Sequence, residues 1–306
     1  MTHTAQLARS AAHWQLRSRT IQLGRRTLVM GIVNLTPDSF SDGGSFPTRQ
    51  HAIDHALRLL DEGADLLDLG AESTRPGSHA GGPDAAVTAA EEQSRLLPVL
   101  EGILRARSGT LVSIDTYKAA TARAALTIGA EVINDVSGFT WDPDMHAVCA
   151  ESACGLVLMH TRGRPDEWSM QSQLAPEAVL ASVHSGLSDS LAAATRAGIA
   201  TDRIVLDPGY GFGKRGEENY TLLARQHDLL SLGRPLLAGL SRKSFLSQTL
   251  AEFHSGQPAP VTARETASIA ALVAAILHGA SIVRVHSVRP AAEAIRIADA
   301  LLEHTT

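Results

Sequence analysis

The chain has 306 residues, 44% of them hydrophobic and 19% charged, enough for one sizeable core of ordinary soluble composition. A formal net charge of −5 argues against a general nucleic-acid binder or a protein drawn to anionic membranes, so an anionic ligand must be met by a local cluster of cations. No apolar stretch is long and charge-free enough to span a bilayer. Two cysteines, Cys149 and Cys154, give no disulfide framework and read as buried thiols at a helix end, which fits a reducing, cytoplasmic setting.

In chain order, the segment from Met1 to Pro37 lacks Asp and Glu but carries Arg9, Arg17, Arg19, Arg25 and Arg26. An acid-poor, Arg-bearing start fits an organelle transit peptide. The alternation in His13-Trp14-Gln15-Leu16 and Thr20-Ile21-Gln22-Leu23-Gly24 fits a folded hairpin better. Residues 1–27 are therefore expected to form an extension whose hairpin covers the bottom of a catalytic domain at 28–306.

From Leu28 onward, apolar runs at 28–34, 66–70, 111–115, 131–135, 155–160, 203–207, 235–239 and 281–286 alternate with longer stretches of helical period. The clearest helical stretches are 51–63, 91–107, 176–198 and 265–279; the last is apolar nearly all round and suits core or a dimer face. Gly63, Gly129, Gly198 and Gly279 close helices before the next strand. Strands that each return through a helix must pair in parallel, and eight such units predict one (β/α)8 TIM barrel. A doubly wound open sheet is the alternative, but no Gly-x-Gly-x-x-Gly turn follows the first strand. The least structured stretches, 40–50, 73–85, 161–176 and 208–218, all follow strands.

The apolar runs end in Asn34, Asp68, Asp115, Asn134 with Asp135, His160, Asp207, Ser241 to Lys243, and then Arg284 and His286. In a parallel barrel these positions share the carboxyl rim, where active sites of this fold are built. Asp115, Asn134 and Asp207 would offer acceptors to a flat heterocycle with adjacent N–H and NH2 groups. Lys243, Arg75, Arg284 and His286 would bring donors and positive charge for a phosphate or pyrophosphate. Equally open is a purely structural network in which these acids and cations pair with each other. His51, His55 and His79 lack partners at metal-ligand spacing and read as surface residues.

The stretches MGIVNLTPDSFSDGG (30–44), GAESTRPG (70–77), SIDT (113–116), INDVSG (133–138), LMH (158–160), DPGYGFGK (207–214), SRKSF (241–245) and RVHSVR (284–289) resemble the dihydropteroate synthase family in order and spacing. The resemblance runs from about Thr27 to the C-terminus, and the first motif is its most specific part. It implies a (β/α)8 barrel, usually homodimeric. The implied reaction joins 4-aminobenzoate to 6-hydroxymethyl-7,8-dihydropterin pyrophosphate, giving 7,8-dihydropteroate and pyrophosphate. By position, Asn34 resembles the residue that holds Mg2+ on the pyrophosphate. Asp115, Asn134, Asp207 and Lys243 resemble the pterin pocket, and Thr74, Arg284 and His286 lie near the pyrophosphate. Thr36, Pro37, Phe40, Arg75, Pro76 and Ser244 resemble the aminobenzoate site, carried on two mobile loops. Asp115, Lys243, Arg284 and His286 are the residues expected to act in catalysis, while Asp68 and Glu72 match acidic positions without a firm role.

Some positions depart from the family pattern. Ser287 stands where an acid usually follows the His, Leu240 precedes SRK, and Arg162 and Arg164 follow Met-His, where they read as solvated loop charges. Two rival readings keep the barrel: a methyltransferase acting between methyltetrahydrofolate and a corrinoid, and a non-catalytic pterin-binding paralogue. The first lacks NLTPDSFSDGG and SRKSF. The second would not need Asn34, Arg75, Lys243, Arg284 and His286 together.

Overall fold

A computed structural model describes residues 12–36, 46–82 and 87–304. Pro37 and Phe40 lie outside the described residues.

Trp14 is buried between exposed His13 and half-buried Gln15, the alternation of a strand with one covered face. That strand, β1 (Ala12–Gln15), pairs antiparallel with β2 (Thr20–Leu23). Trp14, Leu16 and Leu23 form one buried cluster with Leu28, Met30, Leu66 and Ile282, which lie at or near the amino ends of barrel strands. The Trp14 Nε1–H donates to the Arg203 carbonyl at 2.9 Å. Gly155 leaves the room this packing needs, since a Cβ there would lie 2.3 Å from Leu16.

The barrel strands are β3 (Leu28–Asn34), β4 (Leu66–Gly70), β5 (Val112–Asp115), β6 (Val132–Asp135), β7 (Gly155–Met159), β8 (Ile204–Asp207), β9 (Leu236–Ala238) and β10 (Ala280–Val285). They close in the order β10-β3-β4-β5-β6-β7-β8-β9. The pairing of β10 with β3, through Ile282 and Leu28, rules out the open doubly wound sheet. Nearly every strand residue is buried, because helices cover the outside and side chains fill the lumen.

The helices are α1 (Phe46–Asp61), α2 (Ala89–Ala106), α3 (Ala119–Ile128), α4 (Met145–Ser152), α5 (Pro176–Arg196), α6 (Gly216–Ala224), α7 (Ser244–Thr249), α8 (Glu265–Leu277) and α9 (Val288–Glu303). Their ends follow local chemistry. Thr88 and Glu91 form a capping box at the start of α2, and Pro176 opens α5. Gly63, Gly129, Gly198 and Gly279 all take positive φ after α1, α3, α5 and α8. Helix α1 begins five residues before the expected 51, so part of the stretch read as unstructured is helical.

Cys149 and Cys154 are buried, unpaired thiols at the end of α4, and Arg203 ties their carbonyls together through Nη2 and Nε at 2.5 and 2.8 Å. Among the described residues no helix is long and apolar enough to cross a membrane.

Candidate active site

Register places the inward residues. Asn34 is level with Gly70, Gly70 with Asp115, and Asp115 with Asn134, so four adjacent strands present these positions at one height. Gly70 has a steric reason: a Cβ there would come within 3.3 Å of the Asp115 Cβ. Asp207 is level with Met159 on the neighbouring β7. Arg284 starts lower, level with Met30, and its long side chain reaches across the lumen.

There it meets two carboxylates. Arg284 Nε donates to Asp68 Oδ2 and Nη2 to Asp115 Oδ2, each at 2.6 Å. Asp68 Oδ2 also accepts from Asn134 Nδ2 at 3.0 Å. The structural-network reading therefore holds for part of the cluster: Arg284 is not a bare cation. The rest remains open to a ligand. Asp207 uses Oδ1 to accept from Gly209 N at 2.7 Å, which leaves Oδ2 toward the mouth. Lys243 makes no ion pair among the described residues, and its ammonium lies 4.0 Å from the centre of the Phe212 ring.

Electrostatics divides these groups. Burial pushes the Asp115 carboxyl up, to about 7, against the pull of Arg284 and Lys243. Burial likewise raises Asp207. Burial, reinforced by Arg284, brings Lys243 down to about 8. The free protein should therefore show a bell-shaped kcat/KM. Activity falls below about 7 as Asp115 takes up a proton and ceases to be a carboxylate acceptor, and falls above about 8 as Lys243 loses its proton and charge. A pH–rate profile with no limb on either side between pH 6 and 9 would contradict these assignments.

His286 differs from the expectation that it brings positive charge. Burial and the cations Arg242, Arg284, Lys243 and Arg75 lower it to about 3, so the ring is neutral. Ser241 Oγ accepts from the His286 backbone N–H at 3.3 Å and lies 3.0 Å from Nδ1. A hydroxyl donating to Nδ1 leaves the ring proton on Nε2, which makes His286 an uncharged donor.

Other strand-end residues do not join the mouth. Asp135 is consumed by its own turn, accepting from Ser137 N, Ser137 Oγ and Phe139 N at 2.7–2.8 Å. His160 packs toward α5, where a Cβ on Gly186 would meet its ring at 2.5 Å. Arg162 is not a solvated loop charge: its side chain is only 11% exposed, lies 3.4 Å from Glu218 and donates to the Gly213 carbonyl at 3.2 Å.

The loop after β4 holds half-buried Thr74 and exposed Arg75 and Pro76, and no hydrogen bond links them to Lys243 or Arg284. Its root is fixed by Glu72 pairing with Lys118, and Gly77 N bonds to Pro165 O at 3.0 Å. Thr36 is half-buried at the end of β3 and Ser244 is exposed at the start of α7. His51 and His79 are exposed and His55 is half-buried; among the described residues no group of three His, Cys, Asp or Glu could hold a metal.

The residue types missed by sequence reading are mostly braces. Lys214 is buried and donates to the carbonyls of His160, Gly209 and Phe212 at 3.1, 2.7 and 3.2 Å, which holds the turn that presents Phe212. The available signal was glycine: Gly209, Gly211 and Gly213 all have positive φ. Arg242, also at positive φ, is tied through Nη2 to Ser287 Oγ at 3.2 Å, and Ser287 in turn donates to Glu265 at 3.0 Å. Glu265 thus supplies the carboxylate that Ser287 lacks.

A closed parallel barrel with carboxylates, an amide and an ammonium gathered at its carboxyl rim has the form of an α/β-barrel enzyme site. A family model described as "Pterin binding enzyme" matches residues 30–286, and the chain belongs to that family. It is 41% identical over 278 residues to the dihydropteroate synthase of Synechocystis, covering 91% of each chain. The Xanthomonas albilineans dihydropteroate synthase solved with 4-aminobenzoic acid is 39% identical with a TM-score of 0.83, covering 95% of this chain and 98% of that one. The same enzyme in complex with 7,8-dihydropteroate is 37% identical with a TM-score of 0.79, covering 94% and 98%.

Proposed function

We infer that this chain is a dihydropteroate synthase, a transferase of folate synthesis that joins 4-aminobenzoate to 6-hydroxymethyl-7,8-dihydropterin pyrophosphate. The observation that carries this reading is an acceptor set beside a cation with no ion pair among the described residues, at one barrel mouth, on a chain with this family's similarity along most of its length.

The pterin ring would place its N–H and NH2 edge against Asp207 and the Asn134 oxygen, with Asp115 completing the acceptor set. Lys243 sits above the same space, within reach of ring acceptors, and Phe212 provides a flat apolar wall. The C–O bond between the pterin methylene and the diphosphate breaks, and the amine nitrogen of 4-aminobenzoate forms the new C–N bond and loses a proton. Positive charge that develops on the ring is stabilised by the carboxylates of Asp115 and Asp207, already fixed in place. Arg284, Thr74 and neutral His286 donate to the departing diphosphate, whose negative charge grows as the bond breaks. Thr36, Pro37, Phe40, Arg75, Pro76 and Ser244 are assigned to the aminobenzoate side, where loop closure would keep water from trapping the cation.

Mg2+ fits this site only as a companion of the diphosphate. The Asn34 carboxamide is half-buried at the tip of β3, outside the Arg284–Asp68–Asn134 network, and its oxygen, which has no hydrogen bond among the described residues, would serve as one hard ligand. Bound there, the ion would neutralise charge on the leaving group. Asn34→Ala is expected to lower turnover about 10- to 100-fold and to weaken diphosphate-dependent aminobenzoate binding, in line with loss of one metal ligand. Unchanged kinetics at limiting Mg2+ would refute the assignment.

The same reading places residues 28–306 in one catalytic domain with 1–27 as an extension, and the protein in the cytoplasm, which its unpaired thiols suit. It also makes the chain a homodimer. Ile297 and Leu301 are 67% and 52% exposed on α9, an apolar surface that a second copy would cover.

The test of function is a coupled assay for pyrophosphate released from the pterin diphosphate when 4-aminobenzoate is added. Release that depends on both substrates is expected. No release, or turnover with a corrinoid protein instead, would overturn the reading.

A further inference from the structure

Asp68 has no exposed surface and lies on the inward face of β4. Both of its partners belong to the candidate site. One carboxylate oxygen, Oδ2, receives the Arg284 Nε from β10 at 2.6 Å and the Asn134 Nδ2 from β6 at 3.0 Å. The other, Oδ1, is buried with no hydrogen-bond partner among the described residues. Asp68 therefore spends one oxygen on two residues assigned to the ligand.

The two donors respond differently. The ends of an asparagine amide are nearly the same in shape, and turning it over exchanges a donor for an acceptor. A carboxylate accepts only, so an amide pressed against Asp68 must turn its nitrogen inward. The Asn134 oxygen is then the atom left toward the mouth. For Arg284, engagement at Nε fixes the plane of the guanidinium, aims Nη2 at Asp115 2.6 Å away and leaves Nη1 uncommitted among the described residues.

We propose that Asp68 is a positioning residue that sets which face of the Asn134 amide meets the pterin ring and which nitrogen of Arg284 meets the diphosphate. This rests on the dihydropteroate synthase reading and deepens it: Asp68 acts through its neighbours, and the preference for a ring with hydrogen-bond donors at that edge originates one layer below the ligand. An Asn134 amide free to rotate would offer its NH2 to the ring's own donors as often as its oxygen, and the pocket would lose its selectivity without losing a single contact residue.

The experiment uses 6-hydroxymethylpterin as probe, because it lacks the diphosphate and reads the amide arm alone. Its affinity is measured by calorimetry for the wild type, Asp68→Ala, Asp68→Asn, Asn134→Ala and the double variant Asp68→Ala/Asn134→Ala, with thermal unfolding as a check on the fold. Asp68→Ala is expected to weaken binding about 10- to 100-fold, the usual range for an unsatisfied or misdirected buried polar group. Asp68→Asn, whose amide oxygen can still accept from both neighbours, is expected to stay within about threefold. In the Asn134→Ala background the effect of Asp68→Ala should shrink to less than about threefold, since coupled residues are not additive. With the diphosphate-bearing substrate, Asp68→Ala should raise KM more than it lowers kcat.

Three results would overturn the proposal: wild-type affinity in Asp68→Ala, an equal loss in Asp68→Asn, or an undiminished loss in the Asn134→Ala background. Should Asp68→Ala fail to fold, Asp68→Leu/Arg284→Lys compared with Arg284→Lys reads the amide arm with a cation kept beside Asp115, and equal affinities there overturn it too. Wild-type pyrophosphate release is measured alongside. If the wild type lacks it, the functional reading fails; if it is present and the variants behave otherwise than stated, only the role of Asp68 fails.

Discussion

Lys243→Ala should lower kcat/KM by about 10²- to 10³-fold, the loss seen when one preorganised donor is taken from an electrostatic site. The Lys243 ammonium has no carboxylate partner within salt-bridge distance among the described residues and rests over Phe212 at 4.0 Å. Burial has already brought it down to about 8, so the site holds this charge at a cost that a ligand can offset. Its alkyl stem packs on the glycine-rich turn, where a Cβ on Gly211 would come within 3.3 Å of Cδ. Removing the side chain should weaken both pterin and aminobenzoate binding, because Lys243 stands between the acceptor set and the start of α7 at Ser244. Steady-state kinetics with each substrate varied in turn checks this. A Lys243→Ala protein with normal pterin affinity would show that the pocket is misassigned.

Arg284→Met should cost more in stability than any other single change at the mouth. It would leave Asp68, with no exposed side chain, and Asp115, with 17% exposed, as two carboxylates without their shared cation. Breaking such a buried pair by removing one partner costs about 3–5 kcal/mol. The result expected is a clear fall in the thermal midpoint together with near-complete loss of turnover. Arg284→Lys separates the two effects. A lysine keeps the charge but has a single nitrogen and cannot hold Asp68 and Asp115 at once, so stability should recover in part while activity does not. Calorimetric unfolding and the pyrophosphate assay on the same preparations decide it. An Arg284→Met protein as stable as the wild type would show that these carboxylates are not held apart by Arg284.

The fold was legible because its signals are local. A run such as 66–70 is apolar except for one acid, is too short for a buried helix and is followed by helical period, and the strand falls on those same residues, Leu66–Gly70. Glycines at 63, 129, 198 and 279 marked helix ends because positive φ is a backbone requirement that few other residues meet. Helix α1 was less legible, since Pro47 and Thr48 in its first turn mimic a loop. The site was legible as a set of positions but not as a set of states. Asp135 and Asn134 are neighbours at one strand end, yet the pleat turns them to opposite faces, one into its own turn and one into the barrel. His160 was read with the rim for the same reason and faces α5 instead.

The amino-acid sequence by itself determined the eight strand–helix units, the side of the barrel where the polar residues gather and the motifs that place the chain in its family. Those follow from periodicity, turn chemistry and residue identity, all of which act over a few neighbouring positions. Only the tertiary structure decided which charges are spent and which are available. Arg284 is committed to Asp68 and Asp115, residues more than 160 positions away, while Lys243 has no ion pair among the described residues. It also decided that His286 is neutral, because burial among distant cations lowers its proton affinity. Charge state and hydrogen-bond direction depend on what barrel closure brings within a few ångströms, and no local stretch of sequence contains that information.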